Sequence, residues 1–234
     1  MSTWRAEVLI PAHRFVVAVR GTTVIELNGG DGPSTFRAYR DLPDAVHGMI
    51  AWPNTVLATG PEPVVIDPGY QTQGDMLVQA LAARGLAPGD VRTVILTHLH
   101  SDHISAVPQL GEVDLYVHER ELETPYATRQ RGLFDRATMH ALSGDAGEIL
   151  PGITWIHTPG HSPGHIAVAV ATGAGTVVVA GDTMGPDPSW FADRNPPAEL
   201  EFRDDHLAAY DKISGLDPAV IIPGHYGPIY LGAT

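Results

Sequence analysis

Three imidazoles and a carboxylate fall within six residues in the stretch Thr97-His98-Leu99-His100-Ser101-Asp102-His103, directly after the apolar run Val94-Ile95-Leu96. A fold that accepts this stretch ends a buried strand in a polar loop and brings a partner to that loop. Imidazole nitrogens and carboxylate oxygens are ligands of divalent transition metals, and so dense a cluster in a short loop has few other uses. Solvated histidines without a common partner are the bland alternative. They would not require further metal-capable side chains, and the chain supplies several.

Three of these lie where strands are expected to end. Thr158-Pro159-Gly160-His161 follows the run Ile153–Ile156, Gly181-Asp182 follows Thr176–Ala180, and Pro223-Gly224-His225 follows Val220–Ile222. Each pairs a metal-capable side chain with a glycine, which permits tight backbone geometry and close approach to a site. Asp67, in Asp67-Pro68-Gly69, closes the run Val64–Ile66 in the same manner.

The rest of the pattern alternates strands with helices. Residues 15–19 and 23–27 read as a hairpin and 28–50 as a long, turn-rich loop of the kind that serves as a lid. Strands are expected at 54–58, 64–66, 94–96, 114–117, 153–156, 166–170, 176–180 and 220–222. Helical periodicity appears at 74–84, stopped by Gly85, and at 204–214; 104–110 reads as a short helix and 119–141 as partly helical. Such an order suits β-sheets packed inside helices.

Composition narrows the chemistry. With 234 residues, 44% of them hydrophobic and 18% charged, the chain can bury a full core, and one domain over 1–234 is expected. No apolar run reaches the roughly 18 residues of a membrane span, and Pro11, His13 and Arg14 interrupt the N-terminal run, so a cytoplasmic protein is expected. The absence of cysteine removes thiolate ligands, leaving nitrogen and oxygen donors. A formal charge of −13 argues against nucleic acid as the main partner. A small-molecule substrate acted on by a monomer or homodimer is the expectation.

His98-Leu99-His100-Ser101-Asp102-His103, followed in order by His161, Asp182 and His225, resembles the full ligand set of the metallo-β-lactamase-fold hydrolases, from Asn54 to His225. The resemblance implies an α/β fold, an αββα sandwich of two mixed sheets flanked by helices. It implies His98, His100 and His161 on one metal, Asp102, His103 and His225 on a second, and Asp182 bridging them. Asp67 resembles the carboxylate that steadies such a site from behind. Two divalent ions are implied, Zn2+ first, with Mn2+, Fe2+ or Co2+ also compatible with these donors. His165 competes with His161 as a ligand, and the family pattern favours His161. His13, His47, His118, His140, His157 and His206 read as surface or locally bonded residues, with His47 in the possible lid.

By the same resemblance, a bridging hydroxide attacks a carbonyl and Asp102 accepts or relays a proton. The ligand set and the segment Thr158–His165 are most similar to the N-acyl-homoserine-lactone lactonase branch. Glyoxalase II enzymes share the ligands but carry a further helical domain, and this chain ends nine residues after His225. A thioesterase of that type, a broad hydrolase with weak β-lactamase or phosphodiesterase activity, and a non-catalytic metal-binding scaffold are the alternatives. Lactonases often place a tyrosine shortly after the bridging aspartate, where this chain has Thr183-Met184-Gly185. Tyr226, Trp190 and Met184, with Phe191 and Trp52, are therefore the candidates for an apolar substrate pocket.

Overall fold

The computed structural model describes residues 3–20, 23–26, 46–198 and 200–231. Its strands are β1 (Arg5–Ile10), β2 (His13–Arg20), β3 (Thr23–Glu26), β4 (Val46–Trp52), β5 (Thr55–Thr59), β6 (Pro63–Ile66), β7 (Thr93–Ile95), β8 (Val113–His118), β9 (Ala137–Leu142), β10 (Ala146–Leu150), β11 (Ile153–His157), β12 (Ile166–Thr172), β13 (Gly175–Gly181), β14 (Pro218–Pro223) and β15 (Ile229–Tyr230). The helices used below are α1 (Gly74–Ala82), α2 (Ser101–Ile104), α3 (Glu119–Leu122), α4 (Pro125–Arg129), α5 (Pro188–Ala192) and α6 (Arg203–Ser214).

Two six-stranded sheets form the centre. The first runs β1-β5-β6-β7-β8-β9, antiparallel as far as β6 and parallel from β6 to β9. The second runs β10-β11-β12-β13-β14-β15, antiparallel except where β13 and β14 pair in parallel. A parallel neighbour requires a crossover, and α6 lies within the one joining β13 to β14. A third, three-stranded sheet, β3-β2-β4, contains the expected hairpin.

Alternation along the strands explains the layering. Val56, Ala58, Val64, Ile66 and Ile95 of the first sheet cluster with Ile166, Val168, Val177 and Val179 of the second, in the seam between them. The intervening residues, Leu57, Val65 and Val94, turn to the opposite face and meet Leu77 and Leu81 of α1. Likewise Ala167, Val178 and Ala180 pack against Tyr210 and Ile213 of α6. Side chains of a strand point alternately to its two faces, so a sheet covered on both sides needs an unbroken apolar run. That requirement accounts for runs such as Val177-Val178-Val179-Ala180, and the result is the expected αββα sandwich.

Trp4, 2% exposed, closes one end of the seam. Its indole Nε1 donates to the carbonyl of Pro151 at 2.9 Å. A Cβ on Gly60 would lie 2.6 Å from its ring, so the indole fits because residue 60 has no side chain.

Several expectations are corrected. Residues 46–50, read as part of a lid over 28–50, belong to β4, paired with β2; residues 27–45 lie outside the described residues. The region 119–141 is helical only in short pieces and ends in strand β9, which an irregular ATMHAL pattern conceals because it is an edge strand half exposed on both faces. Strands β10 and β15 and helix α5 leave no clear sequence pattern; all are short elements at an edge or in a proline-rich loop.

Candidate metal centre

Every candidate ligand lies in a loop or helix start just beyond a strand. The first sheet contributes His98, His100, Asp102 and His103 after β7, the last two on α2. The second contributes His161 between β11 and β12, Asp182 after β13 and His225 after β14. Asn54 ties the two contributions together. Its backbone N–H donates to the Gly224 carbonyl at 2.7 Å, and its side-chain Nδ2 donates to the carbonyls of Pro223 and Tyr226 at 2.7 and 2.8 Å.

These side chains converge as two groups that share one residue. In each, His98-His100-His161-Asp182 and Asp102-His103-Asp182-His225, the donor atoms lie within 4.8 Å of one another. His100 Nδ1 and His161 Nε2 are 2.9 Å apart, and His161 Nε2 is 3.4 Å from Asp182 Oδ2. On the other side His225 Nε2 lies 3.3 Å from Asp182 Oδ2 and 3.2 Å from Asp102 Oδ2, and His103 Nε2 lies 3.2 Å from Asp182 Oδ1.

The donor atoms suit cations. Among the described residues, His98 Nε2 is buried without a hydrogen-bond partner, while His103 Nε2 and Asp182 Oδ1, equally buried, face each other at 3.2 Å. Such atoms carry a desolvation cost unless a cation or donor meets them. The neighbouring groups hold the rings so that their Nε2 atoms point inward. Asp67 Oδ2 accepts from His103 Nδ1 at 2.8 Å and from Thr97 Oγ1 at 2.7 Å, and Oδ1 accepts the Thr97 N–H at 2.8 Å. With its proton given to Asp67, Thr97 Oγ1 accepts from His98 Nδ1 at 3.0 Å. Both rings thereby carry a proton on Nδ1 and turn Nε2 into the centre, the second support common behind metal-binding histidines. Asp67 makes this reach with φ at 50°, an unusual backbone conformation for a non-glycine residue.

Electrostatics divide the two groups. Burial pushes His161 down to about 4 and lowers His98 and His100, so these rings are neutral at neutral pH. Burial also opposes the charged form of His225, yet Asp182 and Asp102 outweigh it and raise His225 to about 9. His103 is raised in the same way, its burial outweighed by Asp182 and Asp67. Asp182 is held well below the usual carboxylate range because His103 and His225 outweigh its burial.

Over residues 53–225 the chain matches the profile of the metallo-beta-lactamase superfamily. This chain belongs to the metallo-beta-lactamase superfamily. Human metallo-beta-lactamase domain-containing protein 1 is 35% identical over 219 residues, which cover 91% of this chain and 74% of that protein. The N-acyl homoserine lactonase AiiA of Bacillus thuringiensis subsp. kurstaki is 29% identical over 104 residues, 43% of this chain and 41% of that one. A solved Thermotoga maritima chain, proposed to be a metallo-beta-lactamase, superposes with a TM-score of 0.68 at 17% identity, covering 97% of this chain and 99% of that one. In this metallo-beta-lactamase fold the His/Asp cluster implies bound divalent metal ions. Among the described residues no helix is long and apolar enough to cross a membrane.

Around the centre of this superfamily member, some expected residues are placed elsewhere. Met184 is fully buried, packed with Tyr210 and Ile213 in the core beneath α6, and offers no surface to a substrate. Trp190 and Tyr226 are partly buried against the same cluster. A cavity of about 290 Å3 adjoins His161 and is lined by Arg120, Pro159, Pro163 and Phe202 among others, but by none of those three. Tyr126 of α4, 37% exposed, packs its ring against His100 with centroids 4.5 Å apart.

Two buried residues that sequence reasoning demoted or missed support the loops. His165 Nε2 accepts the backbone N–H of Asp182 at 3.2 Å, and its Nδ1 lies 2.9 Å from both Thr158 Oγ1 and Thr183 Oγ1. Its nitrogens are thus engaged by protein groups. Glu121 is likewise fully buried, and both of its oxygens accept hydrogen bonds from the ligand loops. Of the remaining histidines, His118 and His157 stack on each other at 4.4 Å, and His206 Nδ1 donates to the Thr183 carbonyl at 3.1 Å.

Proposed function

We propose that this chain is a hydrolase of small-molecule carboxylic esters, lactones foremost, that works with two divalent cations, zinc being the leading candidate. The observation that carries the proposal is the pair of four-residue groups sharing Asp182. Bound there, the cations would supply an activated water at neutral pH and polarise a carbonyl oxygen.

The chain's own residues have separable tasks in this reading. His98, His100 and His161 hold one cation, Asp102, His103 and His225 hold the other, and the Asp182 carboxylate is shared. Asp102, whose side chain is 28% exposed and whose Oδ2 lies 3.2 Å from His225 Nε2, is the group able to pass a proton between the centre and the mouth. The cavity between Pro159, Pro163 and Phe202 receives an apolar portion of the substrate, as concave, largely apolar sites do. Similarity to the Bacillus lactonase over 104 residues supports lactones as the first class to try.

The test is a panel of lactones, thioesters, β-lactams and phosphodiesters assayed with metal-reconstituted protein. Lactones are expected to give the highest kcat/KM. A thioester or phosphodiester preference would replace the lactone assignment, and binding of cations without turnover on any class would make the chain a scaffold.

A further inference from the structure

Glu121 belongs to no motif and lies outside both candidate ligand groups, yet its carboxylate is saturated by atoms that flank three of their members. From α3, Oε2 accepts the backbone N–H of Leu99 at 3.0 Å, between His98 and His100. Oε1 accepts Ser162 Oγ–H at 2.6 Å and the Gly164 N–H at 2.8 Å, immediately beyond His161. Three donors converge on one side chain, and an ionised carboxylate offers acceptors alone. The close approach depends on residue 164 having no side chain, since a Cβ there would fall 2.5 Å from the Glu121 backbone nitrogen.

The carboxylate bonds of Glu121 all lead to the loops bearing His98, His100 and His161. On the opposite side, His103 is supported by Asp67. We infer that Glu121 is a positioning residue for the three-histidine half of the centre: by bridging the 98–100 loop to the 161–164 loop it fixes the gap across which His100 and His161 meet, and so sets the affinity of that half for its cation. This rests on the proposal that each half holds one cation.

Measuring cation binding to the full chain tests both levels separately. Zinc affinity is read by competition with a chelator. Cobalt loading then identifies the half, because each bound imidazole contributes its own paramagnetically shifted N–H resonance. The wild type is expected to bind two cations; a single site would overturn the two-cation reading itself. In Glu121→Gln one cation is expected to bind with unchanged affinity and the other to weaken about tenfold or more, the usual cost of losing an outer support. The resonances lost should be those of His98, His100 and His161. Ser162→Ala, which removes one of the three donors, should weaken the same cation by a smaller factor, and it decides the matter by the same readings if Glu121→Gln does not fold. Unchanged binding, equal loss of both cations, or loss confined to the Asp102-His103-His225 half would each overturn the inference.

Discussion

His100 Nδ1 and His161 Nε2 face each other across 2.9 Å from loops that belong to different sheets. Without a cation, one nitrogen must keep a proton to hydrogen-bond the other; a cation held by both rings would take the place of that proton. The arrangement is therefore complementary to a metal and only passable to a water-free pair of rings.

Proton release on metal loading follows from the contrast between the two halves. His161, pushed down to about 4, is already neutral at pH 7, whereas His225, raised to about 9, still holds a proton that a cation must displace. Calorimetry in buffers of different ionisation enthalpy should detect about one or more protons released per chain at pH 7, falling away above pH 9. The sign for stability is the reverse. A raised folded value means that the His225 contribution to metal-free stability is fully present below its unfolded value near 6.5 and is lost as pH rises through about 9. Thermal unfolding of metal-free protein should show a decline across that window.

Asp182→Ala removes the residue common to both groups. It should abolish occupancy by two cations and reduce turnover by several orders of magnitude, on the order of the loss of an essential catalytic group. Metal analysis beside the rate measurement checks it; equal activity in mutant and wild type would rule the mechanism out.

Asp67→Asn keeps the size and backbone tolerance needed at φ 50° but leaves one fewer acceptor for three donors. The His103 ring loses its fixed tautomer, and metal affinity should drop about 10- to 100-fold. Titration with a chromophoric chelator reads the change directly.

Tyr126→Ala strips the half-open aromatic ring packed edge-on against His100. Metal content should be unchanged, while kcat/KM on the preferred ester falls about 2- to 10-fold, the range expected for an aromatic contact of roughly 0.5–1.5 kcal/mol. A coincident loss of metal would instead make Tyr126 a support for His100.

Much of this was legible because the ligands sit next to strands with unbroken apolar runs. His98 to His103, His161, Asp182 and His225 could each be placed at a strand end from local sequence alone, and the resemblance supplied their grouping. Asp67 was legible as a carboxylate ending a strand. Glu121 was not: it is buried through contacts with Leu99 and Gly164, distant in sequence, and its own helix spans only four residues with charged neighbours. Met184 differs from its expected place at the pocket because adjacency to Asp182 says nothing about which way the chain turns next, and here it turns into the core. Strand β9 was hidden by the weak alternation of an edge strand.

The division of ligands between the two sheets would give bound cations a mechanical role as well as a chemical one. His100 and His161 are 61 residues apart in sequence, and a cation joining them closes a long loop, as a cross-link would. Metal loading would thus staple the sandwich across its open end, away from the seam's closure at Trp4. Chelation would then be expected to lower resistance to heat along with activity.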